Sequence, residues 1–452
     1  MNKLIQFWDN LRSGFWFLPF LIVLASIIYA VVLIQVDYAG GYQWLARWPR
    51  VFGVGAEGAR DMLSTLASSM MSVMGITFSM TLLALALASS QYTSRILRNF
   101  MRSRITQVTL GTFAGIFIYC LIVMHTIRTG DMPFVPSVAV FFAFILAFGG
   151  IAVLIFFIHH IASSIQASTI IASVALETNI SIDRLLPEKQ DYEPDEDGGQ
   201  NPIIDSLDER TWYPVPSAVS GYIELVNYDV LLKLAEDIRT IVRTEHGIGE
   251  FVVRDTPLVS LALTYPPDKN TIDSLNAAYS IGRHRSVEQD PAFGIRQIVD
   301  MAIKALSPGV NDTSTAVMCI DYLTSIMVQL ADRKFPSSRR YEGETLRVVA
   351  IVPSFEGLLA EAFDQIRGST QTNVAILARM ISAFNTIGGM TIRLSHIRAL
   401  KEQLRYIEEV ANRCIEANHD RARLEKRLSE VREALQRQSA SLTGKVNNSY
   451  NG

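Results

Sequence analysis

The sequence predicts a membrane α-helical bundle of four transmembrane helices, followed by an α+β cytosolic domain with a small β-barrel-like part and a helical C-terminal part. Long apolar segments fill the first third of the 452-residue chain. The charged fraction of 19% lies below the usual quarter for soluble proteins. From residue 186 onward the composition becomes that of an ordinary soluble domain. The chain therefore divides into a membrane part and a soluble part.

Each of the apolar segments is long enough to cross a bilayer. A hydrocarbon core of about 30 Å requires about 20 mainly apolar residues in a helix. Lipid offers the backbone no hydrogen-bond partners, so each span must be helical. No segment has an ionisable residue near its middle. The predicted spans are 14–36, 63–89, 105–127 and 138–161.

Arginines predict how the spans are oriented. The connection 90–104 contains Arg95, Arg98, Arg102 and Arg104 and no acidic residue. Short loops rich in Lys and Arg stay on the cytoplasmic side of a membrane. We therefore expect a multi-pass protein of the cell inner membrane with both termini in the cytoplasm.

Small residues are the informative feature inside the spans. The second span carries them at three- and four-residue steps on one helix face, and the third span has a G-x-x-x-G pair. Small residues favour close helix packing in lipid, where no hydrophobic force drives association. A hydroxyl-rich face would equally suit the lining of a polar pore, and the sequence leaves both interpretations open. The residues are Ser64, Ser68, Ser72, Gly75, Ser79, Gly111 and Gly115.

The sequence shows no motif for binding a metal, a cofactor or a nucleic acid. His159 and His160 are adjacent, so they point about 100° apart on a helix and make poor joint ligands. Cys120, Cys319 and Cys414 lack the spacing of a zinc site. The net charge is −3, and there is no basic stripe of the kind that binds nucleic acid. We expect no cofactor and no metal, with the lipid bilayer and further copies of the chain as partners.

Composition changes predict the domain boundaries. A transmembrane domain covers residues 1–162, and a helical extension of the fourth span covers 163–185. Residues 186–211 are rich in Asp, Glu, Pro and Gly and form an acidic linker. The cytosolic α+β domain is 212–438, and a disordered tail is expected at 439–452.

The first part of the cytosolic domain, 212–264, predicts short strands around one helix at 228–243. The stretch Gly249–Val253, followed by Thr256–Leu258, resembles the half-barrels of biotinyl and lipoyl domains. No lysine stands where a modified hairpin would have one. The resemblance therefore implies only a small barrel shape.

Two helices separated by a sharp turn are predicted next. Asp290 as N-cap and Pro at the first turn begin a helix at 292–306. The turn 307–309, with sequence Ser-Pro-Gly, ends it, and Asn311-Asp312 caps a second helix at 313–330. A buried strand at 346–353 and a helical stretch at 354–386 follow. The last segment, 393–438, predicts a coiled-coil seam or a helical hairpin.

The most distinctive run in the chain is Ala302–Asp312, AIKALSPGVND, followed by Thr315-Ala316. It closely resembles the signature of an uncharacterised bacterial membrane-protein family, catalogued as domain of unknown function twenty-two fifty-four. Ser94–Leu97 also matches, whereas Thr313 and Tyr92–Ser94 depart from the residues that the family favours. Further matches are Gly282, Arg285 and Asp290. The resemblance implies four spans and a cytosolic domain, and it implies no reaction or ligand.

The polar residues around this run are a candidate anion or ligand site. They are Arg283, Arg285, Asp290, Lys304, Asn311 and Asp312. One interpretation is structural, with helix caps and one ion pair that hold two helices at a tight turn. The other is an anion contact at the N-terminus of the helix 313–330, where free N–H groups favour negative charge.

No catalytic motif appears: the sequence has no H-E-x-x-H, G-x-S-x-G or Walker loop. We therefore expect a protein that is not an enzyme. One hypothesis is a homo-oligomeric channel or transport-related protein with a cytosolic regulatory domain. The alternative is a membrane-anchored sensor or scaffold that binds a ligand or partner through its cytosolic domain.

Overall fold

The computed structural model describes residues 16–40, 55–91, 104–128, 134–186, 210–370 and 372–450. It divides into two compact units, Met1–Thr169 and Ile170–Gly452. The predicted acidic linker lies almost wholly outside the described residues, as does the arginine-rich connection between the second and third spans.

The first unit consists of long apolar helices, and each coincides with one predicted span. Each is long and apolar enough to cross a membrane. They are α1 (Phe17–Tyr38), α2 (Ala56–Gln91), α3 (Arg104–Thr126) and α4 (Ser137–Ser164).

The third helix, α3, packs against α1, α2 and α4. Gly111 and Gly115 lie directly against α1. A Cβ atom on Gly111 would come within 2.8 Å of the Ile22 side chain and 2.9 Å of the Pro19 backbone. A Cβ on Gly115 would overlap the Ser26 hydroxyl. The G-x-x-x-G pair therefore packs two helices of the same chain together.

The N-terminus of α4 is capped by a residue from another helix. The first turn of any helix leaves backbone N–H groups without partners in the helix itself. The carboxylate of Asp37, at the end of α1, accepts the N–H groups of Val138 and Ala139, each at 3.0 Å. Asp37 is buried. The hydroxyl of Tyr119 on α3 donates to the carbonyl of Ala139 at 2.7 Å, so three helices meet at this point.

The predicted extension of the fourth span is a separate helix. The helix α4 ends at Ser164, and a turn at Ile165 and Gln166 precedes α5 (Ala167–Leu185). No proline or glycine occurs at this break, so the sequence carried no signal for it. The expectation of one continuous helix was wrong.

The second unit contains two sheets. One has five strands in the order β1-β5-β3-β8-β7 and the other has three strands in the order β4-β2-β6. All pairs are antiparallel except β3 with β8. The strands are β1 (Tyr213–Pro216), β2 (Gly221–Val226), β3 (Val242–Thr244), β4 (Phe251–Val252), β5 (Pro257–Leu261), β6 (Tyr279–Gly282), β7 (Arg339–Glu342) and β8 (Thr345–Val349).

The predicted barrel-like part is wrong, because the strands of the described residues form these two open sheets and no closed barrel. The β3–β8 pair joins segments about a hundred residues apart, a pairing that local pattern does not reveal. The predicted helix at 228–243 is also shorter. It ends at Asp237, Arg239 takes a positive φ of 48°, and the chain enters β3.

Helices supply most of the second unit. They are α6 (Tyr228–Asp237), α7 (Lys269–Ala277), α8 (Pro291–Leu306), α9 (Thr313–Ala331), α10 (Phe355–Thr370), α11 (Val374–Met390), α12 (Leu394–Cys414) and α13 (Asn418–Tyr450). The bounds of α8 and α9 agree with the prediction to within one residue. The stretch predicted as helical at 354–386 consists of two helices, α10 and α11. Asn373 caps α11 by accepting the N–H groups of Ala375 and Ile376.

The number of apolar helices differs from the predicted four spans. The described residues contain five helices that are long and apolar enough to cross a membrane, and the fifth is α9. The helix α9 packs against α8 and α11 and buries Ile320, Leu323, Met327 and Leu330. Its apolar composition therefore matches a position in the core of the second unit.

The helices α12 and α13 form a hairpin. Arg432 of α13 and Glu408 of α12 make a bidentate pair, with Arg432 Nη1 3.0 Å from Glu408 Oε1 and Nη2 2.5 Å from Oε2. Leu424, Leu428 and Leu435 are buried along the seam. The last helix continues to Tyr450, so the expected disordered tail from 439 was wrong as far as residue 450.

Candidate functional site

The small residues predicted to share one face of α2 do so. We call Ser64, Ser68, Ser72, Gly75 and Ser79 the serine face. All five are exposed in the single chain, and a Cβ on Gly75 would meet nothing within 4 Å. The structure therefore separates them from Gly111 and Gly115, which pack inside the chain.

The serine face lies opposite the most deeply buried side of α2. On the opposite side of α2, Leu63, Met70 and Thr77 are buried. A helix turns about 100° per residue, so the centres of the two faces lie roughly 150° apart. Among the described residues, α2 thus packs through the opposite side, and the serine face stays exposed along a groove.

Two hydroxyls of this face bond to their own helix. The Ser68 hydroxyl donates to the Ser64 carbonyl at 2.8 Å, and the Ser72 hydroxyl donates to the Ser68 carbonyl at 3.0 Å. The donors of Ser68 and Ser72 are thus satisfied, while their hydroxyl oxygens keep lone pairs as acceptors. A groove of about 430 Å³ runs beside these serines, and its other wall is formed by Phe117, Leu121 and Met124 of α3.

In the second unit, Arg285 and Asp290 form a largely buried ion pair. Arg285 Nε lies 2.9 Å and Nη2 lies 2.6 Å from Asp290 Oδ2. The other oxygen of Asp290 accepts the Phe293 N–H at 3.3 Å and so caps α8. Burial raises the pKa of Asp290, and the Arg285 charge opposes this rise. A Cβ on Gly249, whose φ is +86°, would overlap the Asp290 carboxylate, so a glycine backbone closes over the pair.

Asp312 caps α9 on its own. Its carboxylate accepts the Thr315 N–H at 3.0 Å and the Thr315 hydroxyl at 2.6 Å. These bonds from Thr315 hold the pKa of Asp312 below its ordinary value. Asn311 before it has a positive φ of 48°, a conformation that asparagine tolerates better than most residues. The N-terminus of α9 is thus occupied by the chain's own carboxylate.

The six residues of the candidate anion site do not form one cluster of contacts. Arg285 pairs with Asp290, and Asp312 pairs with Thr315. In the described part of the chain, Arg285 and Asp290 bond to neither Asp312 nor Thr315. Arg283 and Lys304 are exposed. The geometry matches the structural interpretation of caps and one ion pair.

A polar groove of about 480 Å³ lies beside Asn311 and was not predicted. Ser369 and Thr370 at the end of α10, and Asn373 at the start of α11, line its other side. The Asn373 side chain also donates to the Thr313 hydroxyl at 3.1 Å, which links the starts of α11 and α9. The run Gly368-Ser369-Thr370 before Asn373 was the available sequence signal for a helix break here.

Comparisons with known proteins agree on one family. The family model described as "Predicted membrane protein (DUF2254)" matches residues 12–386. Uncharacterised proteins of Mycobacterium bovis and Mycobacterium tuberculosis are 30% identical to this chain over 431 residues, which is 93% of this chain and 81% of each relative. No solved structure matches. With its apolar helices and its signature run at 302–312, the chain belongs to this family of predicted membrane proteins.

Proposed function

We propose that the chain forms a homo-oligomeric, non-enzymatic channel or transport-related protein of the cell inner membrane. In this proposal α1 to α4 cross the bilayer, both termini are cytoplasmic, and the second unit is a cytosolic regulatory domain. The serine faces of several copies meet at an axis and line a polar path.

The uncovered serine face is the observation that carries this proposal. A polar helix face in a span is turned toward protein or water, because lipid offers it no partners. In the described part of the chain, its five residues remain exposed. Copies of the same chain, arranged around an axis, would supply both the cover and an aqueous path.

The chemistry of this face suits a neutral path. From Met62 to Gln91 the helix has no ionisable residue. Selectivity would then come from pore diameter and hydroxyl dipoles rather than from fixed charge. Since the hydroxyl protons of Ser68 and Ser72 are used by backbone carbonyls, the free lone pairs of these two serines favour cations or water donors. Carriers coupled to protons or ions usually need an ionisable group at depth, so passive conduction is the better match.

We propose that the fifth apolar helix, α9, stays in the cytosolic unit. It carries Asp321, which pairs with Arg379 of α11. Its Gln329 donates to Asp183 Oδ1 at 2.7 Å. Charged contacts along its length are costly in lipid, whereas they are common at the edge of the core of a soluble domain.

Ion flux through liposomes tests this function. Purified full-length protein should release entrapped ions, and Ser72→Leu and Ser79→Leu should each reduce the rate. Ser69→Leu is the matched control. Ser69 is also exposed and donates to the Thr65 carbonyl at 2.7 Å, but it lies about 100° from the centre of the serine face. Absence of flux, or equal loss in all three variants, would reject a path along this face.

The alternative, a membrane-anchored sensor or scaffold, is favoured by the polar groove at Asn311 and Asn373. Its mouth carries amide and hydroxyl groups that could bind a small polar ligand. The exposed Ser369 allows a filling variant, Ser369→Trp. Under this alternative, a polar ligand raises the melting temperature of the full chain, Ser369→Trp abolishes the rise, and liposome flux is absent.

A further inference from the structure

The helix α5, directly after the fourth span, buries one of its faces against its own chain. Ile170, Ile171, Val174 and Ile182 are buried. A Cβ on Gly294 would overlap the hydroxyl of Thr178, so α8 approaches α5 closely at that point.

Polar contacts anchor the same helix farther along. The Ser181 hydroxyl donates to the Glu288 carbonyl at 3.3 Å. Asp183 pairs with Arg333 and accepts a bond from Gln329. These contacts fix which side of α5 is turned outward.

The outward side carries two large aliphatic side chains. Leu176 is 62% exposed and Ile180 is 59% exposed. Ser173, one turn before Leu176, and Thr169, two turns before it, are exposed as well. We call Thr169, Ser173, Leu176 and Ile180 the outer seam. Their steps of four, three and four residues match the spacing of a coiled-coil seam.

We propose that the outer seam is the contact between α5 of one copy and α5 of a second copy, packed in parallel. This inference rests on the homo-oligomeric part of the proposed function. The reason is positional. The span α4 ends at Ser164 and α5 begins at Ala167, so copies inserted in the same orientation start this helix at the same depth. Equivalent residues of neighbouring copies are then level, and Leu176 meets Leu176.

The charges on α5 argue against an anionic lipid surface as the occupant of the seam. The helix contains Glu177, Asp183 and Arg184 as its charged residues, so two acids outnumber one base. A helix that lies on an anionic membrane is rich in Lys and Arg on its polar face. The segment that follows, 187–209, is rich in Asp and Glu, which gives no attraction to an anionic surface either.

The seam also explains why exposed aliphatic residues are found there. The position of Leu176 is about 180° from the buried side of α5, so reorientation of the helix would expose Ile171 and Val174 instead. Contact with a second copy buries Leu176 and Ile180 without loss of the intrachain contacts.

Cysteine cross-linking in native membranes tests the seam. In full-length protein with Cys414→Ser, Leu176→Cys and Ile180→Cys are introduced singly and oxidised. The remaining native cysteines, Cys120 and Cys319, are buried. Most of each variant should shift to the mass of a dimer on a non-reducing gel, because level residues of a parallel pair come within disulfide reach.

Met390→Cys is the matched control. Met390 is 61% exposed, nearly the same as Leu176, and it belongs to α11. Dimer yields at 176 and 180 no greater than at 390 would overturn the proposal. A fluorophore attached to the new thiol of the Leu176→Cys variant gives a second readout. Its quenching by spin-labelled lipid would also overturn the proposal, in favour of a membrane surface.

The test separates this inference from the proposed function. If Ser72→Cys cross-links and liposomes conduct while the seam variants stay monomeric, the seam is wrong and the channel stands. If the seam variants cross-link but no ion flux occurs, the seam stands and the channel is wrong.

Discussion

The carboxylate of Asp37 accepts a hydrogen bond from the backbone N–H of Val138 at 3.0 Å, across 101 positions of the chain. Its second oxygen accepts the next N–H, that of Ala139. An acidic side chain at the end of one apolar helix therefore caps the start of another. Uncapped N–H groups are expensive where water is scarce, so this contact holds α1 and α4 together at their shared end.

Replacement of Asp37 tests the importance of this cap. We expect Asp37→Ala to destabilise the protein by about 1–2 kcal/mol or more, the usual cost of a lost N-cap. Asp37→Asn keeps an acceptor oxygen and should cost less. Thermal unfolding in detergent measures both. Asp61→Ala is the control, because Asp61 is exposed at the start of α2. Equal melting temperatures for Asp37→Ala and the control would contradict the cap.

Close packing of α3 on α1 predicts a steric effect at Gly115. Gly115→Val adds side-chain atoms where Ser26 already lies. Overpacking of this kind costs about 1–3 kcal/mol, which should lower the melting temperature. Gly75→Val adds the same atoms where no neighbour lies within 4 Å, so the fold of the single chain should keep its stability. The same loss of stability at both sites would show that the glycines of α3 have no special packing role.

Loss of Arg285 leaves a buried carboxylate alone. The side chain of Asp290 is 8% exposed and that of Arg285 is 24% exposed. Removal of one partner of a buried pair costs about 3–5 kcal/mol, so Arg285→Met should unfold at a much lower urea concentration than wild type. Arg283→Met, at an exposed position, should not. The double variant Arg285→Met, Asp290→Asn should recover part of the loss, since asparagine still caps α8. No recovery would contradict a charge effect.

The pH dependence of the free energy of unfolding should reflect the raised pKa of Asp290. Burial raises its pKa in the folded state, above an ordinary value of about 3.9. The folded protein therefore holds this proton more tightly than the unfolded chain does. The contribution of Asp290 to stability is greatest below the ordinary pKa and is lost as pH rises through the raised one. Urea unfolding measures the free energy of unfolding of wild type and of Asp290→Asn at each pH. The value for wild type minus the value for the variant should decline over that interval. A difference that grows with pH would contradict the raised pKa.

Local signals predicted the helices well. Length and apolarity alone located α1 to α4. Asp290 with Pro291, and Asp312 after Ser307–Gly309, marked the starts of α8 and α9 because caps act within one helical turn. Long-range relationships were outside the reach of such signals. The cap from Asp37 to α4 joins residues 101 positions apart, and the β3–β8 pair is equally remote in sequence.

For the candidate site, the sequence predicted which residues share one face of α2. Three- and four-residue steps identified the serine face, but not whether neighbouring helices cover it. Gly111 and Gly115 are small residues at the same kind of spacing, yet they pack on α1. Spacing shows which residues share a helix face, but it does not show which neighbouring helix contacts that face. The groove at Asn373 was missed for a related reason, since a polar run inside a helical pattern did not reveal where two helix starts meet.

Thiol modification along α2 tests the central claim, a water-filled path on the serine face, most directly. Cysteines are placed singly at Ser64, Ser68, Ser72 and Ser79, with Ser69→Cys as control, and liposome flux is followed while a charged, membrane-impermeant thiol reagent is added. The proposal predicts that the reagent reacts at the four face positions and reduces flux, while Ser69→Cys neither reacts nor changes. Face cysteines that stay unmodified while the protein conducts would contradict it.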